Sequence, residues 1–295
     1  MDEIIRAITA DGFVKAYVIN STEVVREAQG LHQTGKVASA ALGRTLTAAL
    51  ILANDMKNET DRVSVQFRSE GPIGNVVAEA NGKNEVKGFV SNPDVVLPLR
   101  TDGKLDVGGA LGHKGSLTII RDIGMKEPYV GTVELISGEI AEDISYYYMQ
   151  SEQIPTVLGL GVLVAQNFAI LSAGGFMIQL LPGAPDSIID KIEANVKALP
   201  ASISSLIADG KNATEILSML LSGFDYQILS KKEPLYRCDC SRYRVESALI
   251  SLGKAEMEKM IEEENSTEVS CHYCNKKYHF TKEDLAMLLR LATKG

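Results

Sequence analysis

The sequence predicts an α+β protein: a large N-terminal domain of mixed sheets and helices over residues 1–183, a helical linker over 184–233 and a small cysteine-bearing C-terminal domain over 234–295. Three observations carry this. Residues 1–183 mix strand-like alternation with a few helical stretches between glycine-rich turns. After Leu181-Pro182-Gly183 the texture turns helical, and all four cysteines lie in the last fifth of the chain, as Cys238-Asp239-Cys240 and Cys271-His272-Tyr273-Cys274.

In chain order, β-branched and alternating runs predict strands at 4–9, 13–19, 62–67, 75–79, 86–90, 116–121, 129–136, 157–165 and 169–180. Gly71-Pro72, Asn81-Gly82, Asn92-Pro93 and Asp102-Gly103 supply tight turns between them. Helices are predicted at 22–31, capped by Ser21 or Thr22, at 37–56 and at 140–150. The absence of regular βαβ alternation argues against a doubly wound nucleotide fold. In the linker, 187–199 puts Ile188, Ile192, Val196 and Leu199 on one face, and 214–222 is a second amphipathic stretch. Pro200 and Gly210 break this region into helices too short to stand alone, so they must lean on a neighbour. The last segment predicts helices at 244–250 and 254–263, a hairpin-like stretch around the second cysteine pair, and a helix at 281–292 capped by Thr281 with Asp284 three residues on.

At 31.9 kDa, with 45% hydrophobic and 23% charged residues, the chain is long enough for two domains, one with a sizeable core. A net charge of -8 argues against a general nucleic-acid binder, which gains affinity by neutralising phosphates. Residues 231–295 hold twelve Lys and Arg against eleven Asp and Glu, so the negative charge belongs to the rest of the chain. The start, Met1-Asp2-Glu3-Ile4-Ile5-Arg6, is acidic where a signal peptide needs a basic region, which leads to an expected cytoplasmic location. The most apolar window, 37–53, is interrupted by Ser39, Arg44, Thr45 and Thr47 and reads as a buried helix rather than a membrane span.

A chain with no thiol through its first 237 residues and then two tight pairs has gathered soft ligands. Two such pairs meeting in space make a tetrahedral thiolate cage, which suits one Zn²⁺ per chain in a reducing compartment. A domain of this size buries too little apolar surface to be comfortably stable, and a structural zinc supplies about 10–16 kcal/mol. The metal is then either a staple or a switch, because oxidation of the thiolates removes it together with that stability. Partners two or three residues apart lie close enough for local, labile disulfides, and the expected pairs are Cys238 with Cys240 and Cys271 with Cys274. Arg237, Arg242, Arg244, Lys276 and Lys277 flank the pairs and favour thiolate, whereas Asp239 opposes it. His272 and His279 are nearby, but with four thiolates present they read as surface residues.

No nucleotide or hydrolase signature is found. Gly108 to Gly115 has the wrong glycine spacing for a phosphate loop, Gly159-Leu160-Gly161 lacks a third glycine, and neither G-x-S-x-G nor H-E-x-x-H occurs. His32 and His113 read as surface or turn residues, and Tyr146-Tyr147-Tyr148 as core packing. The chain is not expected to be an enzyme. Two rival classes remain: a zinc-ribbon reader of nucleic acid over 234–295, opposed by the charge balance, and a thiol oxidoreductase, opposed by the missing βαβ context and by the second cysteine pair.

Over its whole length the chain resembles the heat-shock protein 33 family, the 33 kDa redox-regulated chaperones of bacteria. The cysteine pairs carry the likeness, together with Ala38-Ser39-Ala40-Ala41-Leu42-Gly43-Arg44-Thr45, Gly71-Pro72-Ile73-Gly74, Gly138-Glu139-Ile140-Ala141-Glu142-Asp143, Ser151-Glu152-Gln153-Ile154-Pro155 and Ala173-Gly174-Gly175-Phe176. The resemblance implies an ATP-independent holdase, zinc-bound through Cys238, Cys240, Cys271 and Cys274 and inactive when reduced. On oxidative stress, often with heat, the family's C-terminal domain and linker unfold and hold unfolding client proteins until ATP-driven chaperones refold them. It also implies a homodimer on activation. The candidate client surface is the linker stripe Ile188, Ile192, Val196, Leu199 and Leu206 with the neighbouring sheet; the alternative is that this stripe is ordinary core in both states.

Overall fold

A computed structural model describes residues 1–263 and 266–292, and its contacts divide the chain into two units, Met1–Arg237 and the part from Cys238 onward. The first unit runs β1 (Glu3–Thr9), β2 (Val14–Asn20), α1 (Thr22–His32), α2 (Lys36–Ala53), β3 (Arg62–Ser69), β4 (Val76–Asn81), β5 (Glu85–Val90), α3 (Val107–Leu111), β6 (Gly115–Asp122), β7 (Tyr129–Glu134) and α4 (Ile140–Tyr147). A π-helical turn at Tyr148–Glu152 follows, then β8 (Thr156–Val164), β9 (Ile170–Leu180), α5 (Asp186–Lys197), α6 (Ile203–Ala208), α7 (Ala213–Leu220), β10 (Tyr226–Lys232) and β11 (Leu235–Tyr236).

The strands form two sheets, one in the order β10-β1-β2-β9-β8 and the other in the order β11-β5-β4-β3-β6-β7. Every pairing in them is antiparallel except that of β11 with β5. The helix α2 lies in the core they share: all its side chains except Lys36 and Arg44 are buried, as expected of a helix that is apolar all round. It is long and apolar enough to cross a membrane by length and composition, yet 89% of that window is buried inside the protein. Arg44 meets Glu139 at 2.7 Å, and Glu139 also meets Arg100 at 3.0 Å, which ties α2 to the start of α4. Tyr147 and Tyr148 are buried edge to face, with ring centroids 5.7 Å apart, as the core reading of the tyrosine run has it. Gly159 and Gly161 lie in β8; a Cβ on Gly159 would stand 2.3 Å from the Phe176 ring, so this glycine pair serves close packing.

The outer face of the first sheet is covered by α5, α6 and α7. Ile188, Ile192, Leu206, Ile216, Leu217 and Leu220 are buried there against Ile5, Ala7, Val18, Phe176 and Ile178, with Val196 and Leu199 partly buried beside them. The short helices have the support they need, and Asn212 and Glu215 form a capping box at the start of α7. Four elements lie outside the sequence expectation: α3, α6 between the breakers Pro200 and Gly210, the two-residue β11, and β10, which returns to pair with β1 and makes the end of the expected helical linker a strand.

The second unit contains α8 (Arg242–Ser251), α9 (Lys254–Glu263), a hairpin of β12 (Ser266–Ser270) with β13 (Lys277–Thr281), and α10 (Lys282–Ala292). Its buried core is small: Leu249, Met257, Tyr278, Phe280, Leu285 and Leu288. Thr281 Oγ1 accepts from Asp284 N at 3.2 Å while Asp284 Oδ2 accepts from Thr281 N at 3.0 Å, the reciprocal cap that the sequence predicts.

Candidate metal centre

The second cysteine pair occupies the turn of the β12–β13 hairpin. Cys271 N donates to Lys276 O at 2.9 Å, Cys274 N and Asn275 N donate to Cys271 O at 3.3 and 2.8 Å, and Asn275 takes a left-handed φ of +58°. This tight turn aims both sulfurs of the C-x-x-C to one side. The first pair arrives in the extended segment that ends at Ser241, whose hydroxyl accepts from Arg244 N and starts α8.

All four half-buried sulfurs converge, lying within 4.8 Å of one another. Cys238 Sγ is 3.7 Å from Cys271 Sγ, and Cys240 Sγ is 3.4 Å from Cys274 Sγ. Four soft donors at this spacing form a site that can hold one metal ion, and such a set is the kind that Zn²⁺ takes in closed structural sites. The convergence is between the two sequence pairs, so each sulfur has near neighbours both within and across them.

The sulfurs are not equivalent. Burial, reinforced by the neighbouring thiols, pushes the Cys238 and Cys274 thiols up. Burial works in the same direction on Cys240, but hydrogen bonds from Tyr278 and the other thiols outweigh it and hold Cys240 below the usual thiol range. The Tyr278 hydroxyl donates to Cys240 Sγ at 3.1 Å. Sequence reading missed Tyr278; its signal is position alone, as an inward-facing residue of the strand leaving the C-x-x-C turn.

Four of the five flanking cations are paired with carboxylates, and the fifth, Lys276, stands over the Tyr278 ring. Arg244 pairs with Asp239 at 2.5 Å, Arg242 with Glu246 and Asp284 at 3.0 Å each, and Lys277 with Glu268 at 2.8 Å. In the first unit, Arg237 pairs with Glu85 at 2.9 Å. His279 is exposed and 3.5 Å from Glu268, and among the described residues the cluster of possible ligands contains the four cysteines and neither His272 nor His279.

Comparison with known proteins gives consistent results. A family profile described as Hsp33 protein matches residues 2–281. The chain is 46% identical over 290 residues to a 33 kDa chaperonin of Acetivibrio thermocellus, covering 98% of this chain and 97% of that one. It is 44% identical over 295 residues to a 33 kDa chaperonin of Clostridium perfringens, covering 100% and 93%. The crystal structure of the 33 kDa chaperonin (heat shock protein 33 homolog) of Thermotoga maritima superposes with a TM-score of 0.89 at 37% identity, covering 100% of this chain and 99% of that one.

Proposed function

The chain belongs to the Hsp33 family, and on that premise we propose that it is a redox-regulated, ATP-independent holdase that binds unfolding proteins under oxidative and heat stress. It is a chaperone rather than an enzyme. The observation that carries the redox half is the convergence of four sulfurs within 4.8 Å in a unit whose buried core, among the described residues, is six side chains. Such a unit depends on what its sulfurs hold.

In this reading Cys238, Cys240, Cys271 and Cys274 hold one Zn²⁺ in the reduced, inactive state. When bound, the ion crosslinks the four thiolates and supplies folding free energy. Oxidation to two disulfides, Cys238 with Cys240 and Cys271 with Cys274, removes the donors with zinc release. The functional division is residues 1–183 as chaperone domain, 184–233 as linker and 234–295 as switch.

The client surface is Ile188, Ile192, Val196, Leu199 and Leu206 together with the sheet they cover. Their burial on that sheet in the present state supports a surface that is hidden until the linker loosens. The protein works in the cytoplasm, with neither nucleic acid nor membrane as partner, forms a homodimer on activation, and hands clients to ATP-driven chaperones.

The test is zinc content and thiol count on reduced protein and again after peroxide at elevated temperature, with aggregation of a heat-denatured client followed in both states. Loss of one zinc and four thiols, with client protection appearing only then, supports the reading. Retained zinc, or equal protection in both states, reduces the metal to a staple.

A further inference from the structure

Among the four sulfurs, Cys240 has a hydroxyl donor from outside the cysteine cluster. Tyr278 reaches it from the second strand of the hairpin, with Oη to Sγ at 3.1 Å. The donor cannot swing away freely. Tyr278 is 7% exposed, belongs to the small core with Met257, Phe280 and Leu285, and faces Val269 across the hairpin. Lys276 Nζ stands 5.3 Å from the centre of its ring, within reach of a cation–π contact that helps hold the ring in place.

A hydrogen bond to a thiolate withdraws charge from the sulfur, and thiolate nucleophilicity falls as that charge is drawn off. We infer that Tyr278 is a positioning residue of the metal centre: its hydroxyl fixes the Cys240 sulfur and slows its attack on oxidants. The inference rests on the reading of the four cysteines as a metal-holding, oxidisable site. The reaction it governs is the two-electron oxidation of a thiolate pair by a peroxide. One sulfur attacks a peroxide oxygen and the O–O bond breaks; the second sulfur then displaces that oxygen as the S–S bond forms. The two electrons pass to the peroxide, whose oxygens take up two protons and leave as water.

The experiment uses the full-length reduced chain as wild type, Tyr278→Phe and Val269→Ala. Phenylalanine keeps the ring in the core and removes only the donor. Val269→Ala loosens the same core beside the ring and leaves the hydroxyl. Each protein is loaded with Co²⁺ for absorption spectroscopy, then separately with Zn²⁺ and treated with peroxide. Unreacted thiols are tagged at intervals and located by mass spectrometry, with Cys271 and Cys274 as the internal reference.

Tyr278→Phe is expected to move the sulfur-to-cobalt charge-transfer band to longer wavelength and to speed Cys240 oxidation relative to the reference by about tenfold, the lower end of outer-shell effects on metal sites. Val269→Ala is expected to leave the band and the ratio unchanged. An unmoved band with an unchanged ratio in Tyr278→Phe, or the same changes in Val269→Ala, would overturn the inference. Failure to bind cobalt would count against the metal reading instead, and the Cys240 ratio in the metal-free reduced chain, taken at a pH high enough that the thiols are ionised in both proteins, would still decide the role of Tyr278.

Discussion

Through a single hydroxyl, Tyr236 completes the backbone of Gly88: its Oη donates to Gly88 O at 3.0 Å and accepts from Gly88 N at 3.3 Å. Tyr236 is 5% exposed and part of the main core, and His32 Nε2 lies 3.2 Å from the same oxygen. It anchors the first unit two residues before Cys238. Tyr236→Phe leaves buried backbone groups short of a partner and is expected to destabilise the first unit by about 1–3 kcal/mol. A lowered denaturant midpoint with an unchanged slope is the expected result.

Metal removal should act first on the second unit. Treating the reduced protein with a strong chelator is expected to melt α8, α9 and α10, whose shared core is six buried side chains, while the first unit keeps its own transition. Far-ultraviolet circular dichroism combined with limited proteolysis reads this directly. Cleavage that begins at positions after 237 is the expected pattern, and a chelated chain that stays resistant there would contradict it.

Loosening the linker without touching the cysteines should mimic activation. Ile216 in α7 is fully buried on the first sheet, and Ile216→Ala is expected to cost about 2–5 kcal/mol by opening a cavity in that layer. The reduced variant, with its metal and thiols intact, is then expected to suppress client aggregation that the reduced wild type does not. Zinc content measured in the same samples keeps the two causes apart.

A pH dependence follows from Asp143, whose side chain is fully buried and whose Oδ1 accepts from Ile136 N at 2.8 Å and Ser137 N at 3.1 Å. Burial raises its pKa above the ordinary carboxylate value, against the backbone hydrogen bonds that lower it. A carboxylate raised in the folded state carries a charge-burial penalty at neutral pH. That penalty fades as the pH falls through the folded value and is gone below the unfolded one. Asp143→Asn keeps the acceptor and loses the charge. Its stability relative to wild type is therefore expected to be greatest at neutral pH and to decline in acid, as read from urea unfolding at several pH values.

Much of this architecture was legible in the sequence because its signals are local. The strands of both sheets other than β10 and β11 alternate or run apolar, α2 is rich in alanine and leucine, and Thr281 with Asp284 marks the start of α10. The meeting of the four cysteines was legible because two tight pairs in one small domain have few other uses. What escaped depends on tertiary context. The strand β10 is mostly exposed and ends in Lys231 and Lys232, so its hydrophobic pattern is weak, and its strand character comes from pairing with β1. Tyr278 escaped because a tyrosine in a hairpin strand carries no sign that its hydroxyl will meet a sulfur.

The return of β10 to β1 gives the linker a direction. Between β9 and Cys238 the chain is fastened at both ends: β9 is held between β2 and β8, while β10 pairs with β1 and the two residues of β11 pair with β5. A disturbance entering from residue 238 meets these fastenings in sequence, first the two-residue ladder with its tyrosine, then the seven-residue strand, and only then the helical cover. A linker opening from residue 238 would release these fastenings one after another, the weakest first.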